Sequence, residues 1–208
     1  MLPAPPRLTR DNALFLDVDG TLLELAPRPG AVVVPEGLAA LLAALSRSLG
    51  GAVAVVTGRP LASIDQLLTP WIAVGAGLHG AEYRWPGTTA VERAPFDPLT
   101  VVVEQLRARF AGQPGVEIED KGIAVALHFR RAPERAGELE AAMVDVASGN
   151  SALRLLRGHC VIEALPAEAN KGSAIAQLMQ NEPFASRVPV FIGDDLTDED
   201  AFPVVGGF

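Results

Sequence analysis

Short apolar runs alternate with longer helix-like segments along much of this chain, and that alternation restricts it to few architectures. Ala13-Leu14-Phe15-Leu16, Ala52 to Val56, Ile72 to Gly75 and Val188 to Ile192 are apolar on successive residues, as strands buried on both faces must be. The first of these strands is expected to run from Ala13 to Val18. Helical segments fall between them: Pro35 to Leu49, with Pro35 in the first turn and Gly50-Gly51 as its end, Leu61 to Leu68, and about Lys171 to Met179. This order predicts an α/β fold built on a parallel sheet.

The stretch from about residue 94 to 163 follows another rule. Asp97-Pro98 reads as a helix cap and first position, opening a helix to about Phe110. Val116 to Lys121 and Ile123 to Arg130 alternate polar and apolar residues, as half-buried antiparallel strands do, with a turn at Asp120-Lys121-Gly122. A helix over Pro133 to Val146 follows, then short strands at Leu153 to Leu156 and Cys160 to Ala164. The simplest account is an α+β module inserted into a parallel core. The core would then comprise residues 1–93 and 164–208, and the insert 94–163. Strand alternation gives the insert one polar face with Glu117, Glu119 and Lys121, then His128 and Arg130, then Glu163 alongside His159 and Val161. Such a face suits a polyhydroxylated ligand held by bidentate hydrogen bonds, and it equally suits plain solvation.

Composition narrows the function classes. The 208 residues are 49% hydrophobic, enough for a sizeable core, and no apolar run reaches membrane-span length. Met1 to Arg7 lacks the apolar centre of a signal peptide and reads as a loose leader. The single cysteine, Cys160, excludes an internal disulfide framework, fits a reducing cytoplasm, and is expected to pack. A net charge of −8 argues against nucleic acid as a partner.

The first apolar run ends on Asp17-Val18-Asp19-Gly20-Thr21, two acids one residue apart where Gly20 lets the chain turn away. Strand ends of open α/β sheets are where ligands bind. Thr57-Gly58-Arg59 ends the second run; a hydroxyl and glycine-turn amides there hold phosphoryl oxygens, or Thr57 merely caps the turn. Asn170-Lys171-Gly172 opens a helix, where a lysine neutralises an anion or simply lies at the surface. After the last run comes Gly193-Asp194-Asp195-Leu196-Thr197-Asp198-Glu199-Asp200, five acids within seven residues. A cation or hydrogen bonds must offset their repulsion; Mg²⁺, with its preference for oxygen ligands, fits Asp17 and Asp194 as direct ligands. First-turn placement accounts for Asp198 and Glu199 better than for Asp194 and Asp195. Four such pieces in this order point to phosphoryl transfer, with Asp17 as nucleophile and Asp19 as proton donor and acceptor.

These motifs resemble the haloacid dehalogenase-like (HAD) phosphatases: Asp17-Val-Asp19-Gly-Thr21, Thr57-Gly58, Lys171 and Gly193-Asp194-Asp195 stand in that superfamily's order. The resemblance implies a Rossmann-like HAD core with an inserted α+β C2-type cap. Within the superfamily the chain is similar to trehalose-6-phosphate phosphatases. Leu78-His79-Gly80-Ala81-Glu82, Glu119-Asp120-Lys121-Gly122, His128-Phe129-Arg130, Glu163 and the ending Thr197-Asp-Glu-Asp-Ala-Phe202 carry that similarity. It implies Mg²⁺ on Asp17, Asp194 and the Asp19 carbonyl, with Asp195 and Asp198 behind them. Asp17, Asp19, Thr57 and Lys171 would be catalytic. Gly58, Arg59, His79, Glu119, Lys121, His128, Arg130 and Glu163 would meet the substrate, the insert's residues doing so as the cap closes. The implied partner is the small molecule trehalose 6-phosphate, for a cytoplasmic enzyme expected to be monomeric, without nucleic acid or membrane. Another sugar phosphatase (for sucrose phosphate or mannosylglycerate phosphate), a phosphomutase, and a catalytically dead sugar-phosphate sensor are the competing readings. The chain stops soon after the fourth motif, so a core truncated at its C-terminus, with an apolar edge left beside Val188 to Ile192, is a further expectation.

Overall fold

A computed structural model describes residues 7–25, 32–93 and 98–207. In chain order the strands are β1 (Asn12–Leu16), β2 (Val53–Val56), β3 (Gly75–Gly77), β4 (Glu82–Arg84), β5 (Glu92–Arg93), β6 (Glu117–Asp120), β7 (Val125–His128), β8 (Leu153–Gly158), β9 (Val161–Pro166) and β10 (Val188–Ile192). The helices are α1 (Leu38–Ser48), α2 (Leu61–Leu68), α3 (Pro98–Phe110), α4 (Ala136–Ala147), α5 (Lys171–Leu178) and α6 (Phe202–Val205). Two compact units result: one is formed by the chain up to Glu92 together with Asn170 onward, the other by Arg93–Ala169.

The first unit carries a sheet in the order β10-β1-β2-β3-β4-β5. β10, β1, β2 and β3 are parallel; β4 returns antiparallel to β3. Alternate residues of β1 and β2 serve two cores. Leu14, Leu16, Val53 and Val55 pack with Leu38 and Leu42 of α1 and with Leu61, Ile64 and Leu68 of α2. Ala13, Phe15, Ala54 and Val56 pack with Ala174, Ile175 and Leu178 of α5, and Phe15 stacks on Phe184 at 5.4 Å. The unbroken apolar runs are the consequence, because neither sheet face meets water.

The second unit is an antiparallel sheet in the order β6-β7-β9-β8. Val125, Leu127, Ile162 and Ala164 line one face and pack on Leu99, Val102, Leu106 and Phe110 of α3 and on Leu139 and Met143 of α4. Cys160 packs at the margin of that cluster.

Several boundaries differ from the sequence expectation. α1 begins at Leu38, after Gly37 in the left-handed conformation, so Pro35 precedes the helix rather than opening it. The third strand is Gly75–Gly77, not Ile72 to Gly75; its glycines and alanine carry no strand signal. β4 and β5 lie beyond the strands expected from the sequence, and β4, antiparallel to β3, makes the sheet mixed. β7 ends at His128, which leaves Arg130 in an exposed turn. The β6–β7 turn is centred on Gly122-Ile123, where the Lys121 N–H donates to the Ala124 carbonyl. β9 starts at Val161, so His159 and Cys160 form the hairpin turn, Cys160 with φ 58°. β9 continues to Pro166, and the second unit extends to Ala169. Asp97 lies outside the described residues. Among the described residues β10 is the last strand on its side of the sheet, with Val188 and Ile192 exposed.

Gly75 sits opposite Val55 with φ 141°, and a Cβ there would run into the Val55 backbone. Gly75→Ala is therefore expected to lower stability by about 3 kcal/mol or more. Gly137 of α4 faces open space, and Gly137→Ala is expected to gain up to about 1 kcal/mol. Urea midpoints of the two variants check this pair; an unshifted midpoint for Gly75→Ala would contradict the close approach of β2 and β3.

Candidate active site at the sheet's carboxyl edge

Three neighbouring parallel strands deliver the site. Asp17 follows β1, and its N–H donates to the Ile192 carbonyl at 2.9 Å. Thr57 follows β2, with its N–H on the Ala76 carbonyl at 3.0 Å. Gly193 and Asp194 follow β10. Because β10, β1 and β2 lie side by side and parallel, all three ends open on one rim. Lys171 reaches that rim as the first residue of α5. Asn170 caps this helix: its Oδ1 accepts from the Ser173 N–H at 2.7 Å, and the Asn170 N–H donates back to Ser173 Oγ.

At the centre, Lys171 Nζ donates to Asp17 Oδ1 at 2.7 Å and to Asp198 Oδ1 at 2.6 Å. All three residues are buried, at 3%, 4% and 1% exposure. Asp198 Oδ2 accepts the N–H groups of Asp194 and Asp195, both at 2.9 Å, which ties the loop after β10 to the lysine. Gly193 is needed because a Cβ there would overlap the Asp198 carboxylate. Burial pushes Asp17 up to about 6, with Lys171 opposing and the Asp198 charge assisting. For Lys171, burial works against the charged form, yet the Asp17 and Asp198 carboxylates outweigh it and hold its pKa above the usual lysine value.

Asp17, Asp194 and Asp198 each bring a carboxylate oxygen within 4.8 Å of the others. Three carboxylates against one ammonium leave an excess of two negative charges. All donors are hard oxygens. Gly20, with φ 93°, admits the Asp194 carboxylate where a Cβ would collide with it, and Thr21 Oγ1 donates to Asp194 Oδ1 at 3.2 Å. This donor set and charge fit a divalent cation of the Mg²⁺ type.

The other expected residues of this unit fall around the cluster. The Asp19 carboxylate is clasped by Arg59, Nε on Oδ2 and Nη2 on Oδ1, each at 2.6 Å. The Thr57 side chain is buried and accepts from the Arg59 N–H at 3.1 Å, so it caps its own loop. His79 is buried at φ 57° with its ring against Gly58, where a Cβ would strike Nε2. Asp195 is exposed and caps the 3₁₀ turn Leu196–Asp198 through the Thr197 N–H. The sequence places Asp198 in a first helical turn and, through the family resemblance, behind the metal ligands; in the structure it accepts at that turn and also anchors Lys171. Burial decides this, and spacing does not reveal burial. Glu82 received no role, yet it is fully buried and accepts the Leu61 N–H at the start of α2.

In the second unit, Glu119, Ala126 and Glu163 are directly opposite one another on β6, β7 and β9. Lys121 Nζ donates to Glu163 Oε1 at 2.9 Å and lies 3.9 Å from Glu119, while His128 Nε2 is 2.9 Å from Glu119 Oε2. These four residues form one network on the face away from α3 and α4. Arg130 is exposed in the turn beyond the strand, and His159 in the hairpin.

The parallel core, the inserted α+β unit and a rim of carboxylates around one lysine define a haloacid dehalogenase-like fold. A solved HAD-like hydrolase from Bacteroides thetaiotaomicron shares it at TM-score 0.67, with 12% identity over 93% of this chain and 85% of that one. The family model for trehalose-phosphatase matches residues 15–207, and the chain belongs to that family. A probable trehalose-phosphate phosphatase of Sinorhizobium fredii is 49% identical over 200 residues, covering 94% of this chain and 74% of the relative. The trehalose-6-phosphate phosphatase of Escherichia coli is 40% identical over 205 residues, 98% of this chain and 77% of the relative. The C-terminal domain of the Candida albicans trehalose-6-phosphate phosphatase superposes with TM-score 0.82 at 23% identity, over 96% of this chain and 74% of that one.

The raised Asp17 pKa has a consequence for the metal-free protein. The folded state holds this proton more tightly than the unfolded chain, whose carboxyl titrates near 3.8. Stability from this group is therefore lost as pH rises from about 4 to about 6, by on the order of 3 kcal/mol. Asp17→Asn removes that slope. Unfolding free energies in the presence of a chelator should show the variant gaining on wild type across this window; a gap that stays flat or narrows would contradict the burial effect.

Proposed function

We propose that this chain is a Mg²⁺-dependent phosphatase that hydrolyses trehalose 6-phosphate to trehalose and inorganic phosphate. Family membership supports the substrate class, and the observation that carries the chemistry is the buried Lys171 held between Asp17 and Asp198 beside Asp194. Asp17 attacks phosphorus: a bond forms between its carboxylate oxygen and phosphorus as the phosphorus–sugar oxygen bond breaks. Asp19 gives its proton to the departing sugar oxygen. A water then attacks the aspartyl phosphate, Asp19 takes the water's proton, and the bond from Asp17 to phosphorus breaks to release phosphate. Lys171 offsets charge on the phosphoryl oxygens and keeps Asp17 oriented. The Thr57 hydroxyl and the Gly58 N–H hold those oxygens, the Thr57 and Arg59 amides being engaged within the fold. Asp17, Asp194 and the Asp19 carbonyl would hold Mg²⁺, with Asp198 and Asp195 bracing the loop behind Asp194. Bound there, the ion would neutralise and orient the phosphate.

Sugar recognition is assigned to the polar network of the second unit. Glu119, Lys121, His128 and Glu163 offer converging donors and acceptors for hydroxyls; Arg130 and, in the first unit, His79 are proposed as further substrate contacts. No helix among the described residues is long and apolar enough to cross a membrane. A cytoplasmic monomer is proposed on the single cysteine and the family.

Phosphate release from trehalose 6-phosphate, with and without Mg²⁺, tests the reading directly. Chelation is expected to abolish turnover, and Mg²⁺ to raise the Tm of wild type but not of Asp17→Asn. Asp17→Asn is expected to lower kcat by at least about 10³-fold. Comparable rates on glucose 6-phosphate and trehalose 6-phosphate would sink the substrate assignment. Glu163→Gln is expected to raise KM for trehalose 6-phosphate by about tenfold while leaving p-nitrophenyl phosphate hydrolysis near wild type. Equal losses on both compounds would remove Glu163 from sugar recognition.

A further inference from the structure

Asp19 has the task of moving protons, yet it sits on a loop that follows the strand, where a carboxylate is free to rotate unless something holds it. The holder is Arg59. Its Nε and Nη2 grip the two oxygens of Asp19 at 2.6 Å each, with side-chain exposures of 12% for the arginine and 33% for the aspartate. This is the planar two-point geometry that only a guanidinium supplies. It uses one lone pair on each oxygen and leaves the others aimed in a set direction.

Arg59 is itself fixed through its backbone. Its N–H donates to Thr57 Oγ1, its carbonyl accepts the Leu78 N–H at 3.1 Å, and the Thr57 carbonyl accepts the His79 N–H at 2.9 Å. Two residues further on, the Leu61 N–H is held by the fully buried Glu82. The loop from Thr57 to Leu61 is therefore sewn to the segment Leu78–Glu82 at three points. A rigid loop with a rigid fork can set the orientation of a group on another loop.

We propose that Arg59 is a positioning residue for Asp19, one that aims its carboxylate at the water that cleaves the aspartyl phosphate. This rests on the proposed phosphatase reaction. It gives Arg59 a role in turnover of the intermediate, distinct from holding the substrate's phosphate. In that second step the water's proton goes to Asp19, the water oxygen bonds to phosphorus, and the bond to Asp17 breaks. Formation of the intermediate from a substrate with a good leaving group needs no proton from Asp19, so it depends little on Arg59.

The test follows p-nitrophenyl phosphate and trehalose 6-phosphate in parallel, using wild type, Arg59→Ala, Arg59→Lys, Asp19→Asn and the double variant Arg59→Ala/Asp19→Asn. With p-nitrophenyl phosphate and Mg²⁺, Arg59→Ala is expected to release a burst of one p-nitrophenolate per site at a rate within about threefold of wild type. Steady-state turnover then falls by about 10- to 100-fold. Intact mass spectrometry of the quenched variant should find one added phosphoryl group, placed on Asp17 by peptide mapping, which wild type does not accumulate. Arg59→Lys keeps the charge but loses the fork, and should lie between. The double variant should be no slower than Asp19→Asn alone. A merely structural or phosphate-binding arginine would slow the burst, raise KM and trap nothing, and either result overturns the proposal, as does wild-type behaviour of Arg59→Lys. If wild type turns over p-nitrophenyl phosphate but not trehalose 6-phosphate, the sugar assignment fails while the role of Arg59 is still decided. Turnover of neither sinks both.

Discussion

The buried contact of Lys171 with Asp17 and Asp198 is the interaction on which the rest of the first unit depends. Three charged groups have been taken out of water, and each is tolerable only because the others are present. Removing the ammonium would leave two carboxylates facing each other in a low-dielectric setting, a cost of several kcal/mol. The surroundings are shaped to keep it in place. The Asn170–Ser173 capping box fixes where α5 begins, so that its first residue points at the end of β1. Asp198 ties the loop after β10 to the same ammonium through two backbone amides. One lysine thus couples a helix start, a strand end and a loop. The excess negative charge that remains suits a cation.

Backbone strain appears next to this cluster. Leu78 and His79 both adopt positive φ without being glycine, at 50° and 57°. Their amides donate into the Thr57–Arg59 loop, and the His79 ring fills the place a side chain on residue 58 would need. Such conformations cost on the order of 1–3 kcal/mol each and persist where neighbouring contacts over-determine them. Here the result is a stiff loop that carries both the buried hydroxyl of Thr57 and the fork of Arg59. The packing of β4 against α2 is in that sense part of the site, since buried Glu82 reaches from β4 to the first amide of α2.

The second unit solves its own packing by a simpler device. Strand alternation sends Val125, Leu127, Ile162 and Ala164 under two helices and leaves Glu119, His128 and Glu163 on the opposite face with Lys121 beside them. Cross-strand register places Glu119 and Glu163 on either side of Ala126, a small residue that leaves room between them. The side chains are hydrogen-bonded to one another, and the network presents both donors and acceptors from a rigid sheet.

Periodicity made the parallel core legible. α2 falls on the expected residues because its apolar side chains recur at helical spacing, with Leu61, Ile64 and Leu68 buried. β10 does so because its apolar run is unbroken, even though Val188 and Ile192 are exposed. The Gly-Ala-Gly strand β3 carried no such signal because its side chains are small, and the hairpin into β4 carried none because Glu82-Tyr83-Arg84 is short and mostly polar. The acids Asp17, Asp19 and Asp194 were identifiable by position at strand ends. What spacing could not convey was partnership. The sequence by itself determined an α/β core with an inserted α+β unit and the types of group at its rim, because hydrophobic period and strand-end motifs are local properties. Only the tertiary structure decided that Asp198 is a buried anchor, that Arg59 holds Asp19, and that Glu82 and His79 brace the loop between them. Those roles depend on burial and on contacts between residues far apart in the chain, and such contacts exist only once the strands have been ordered.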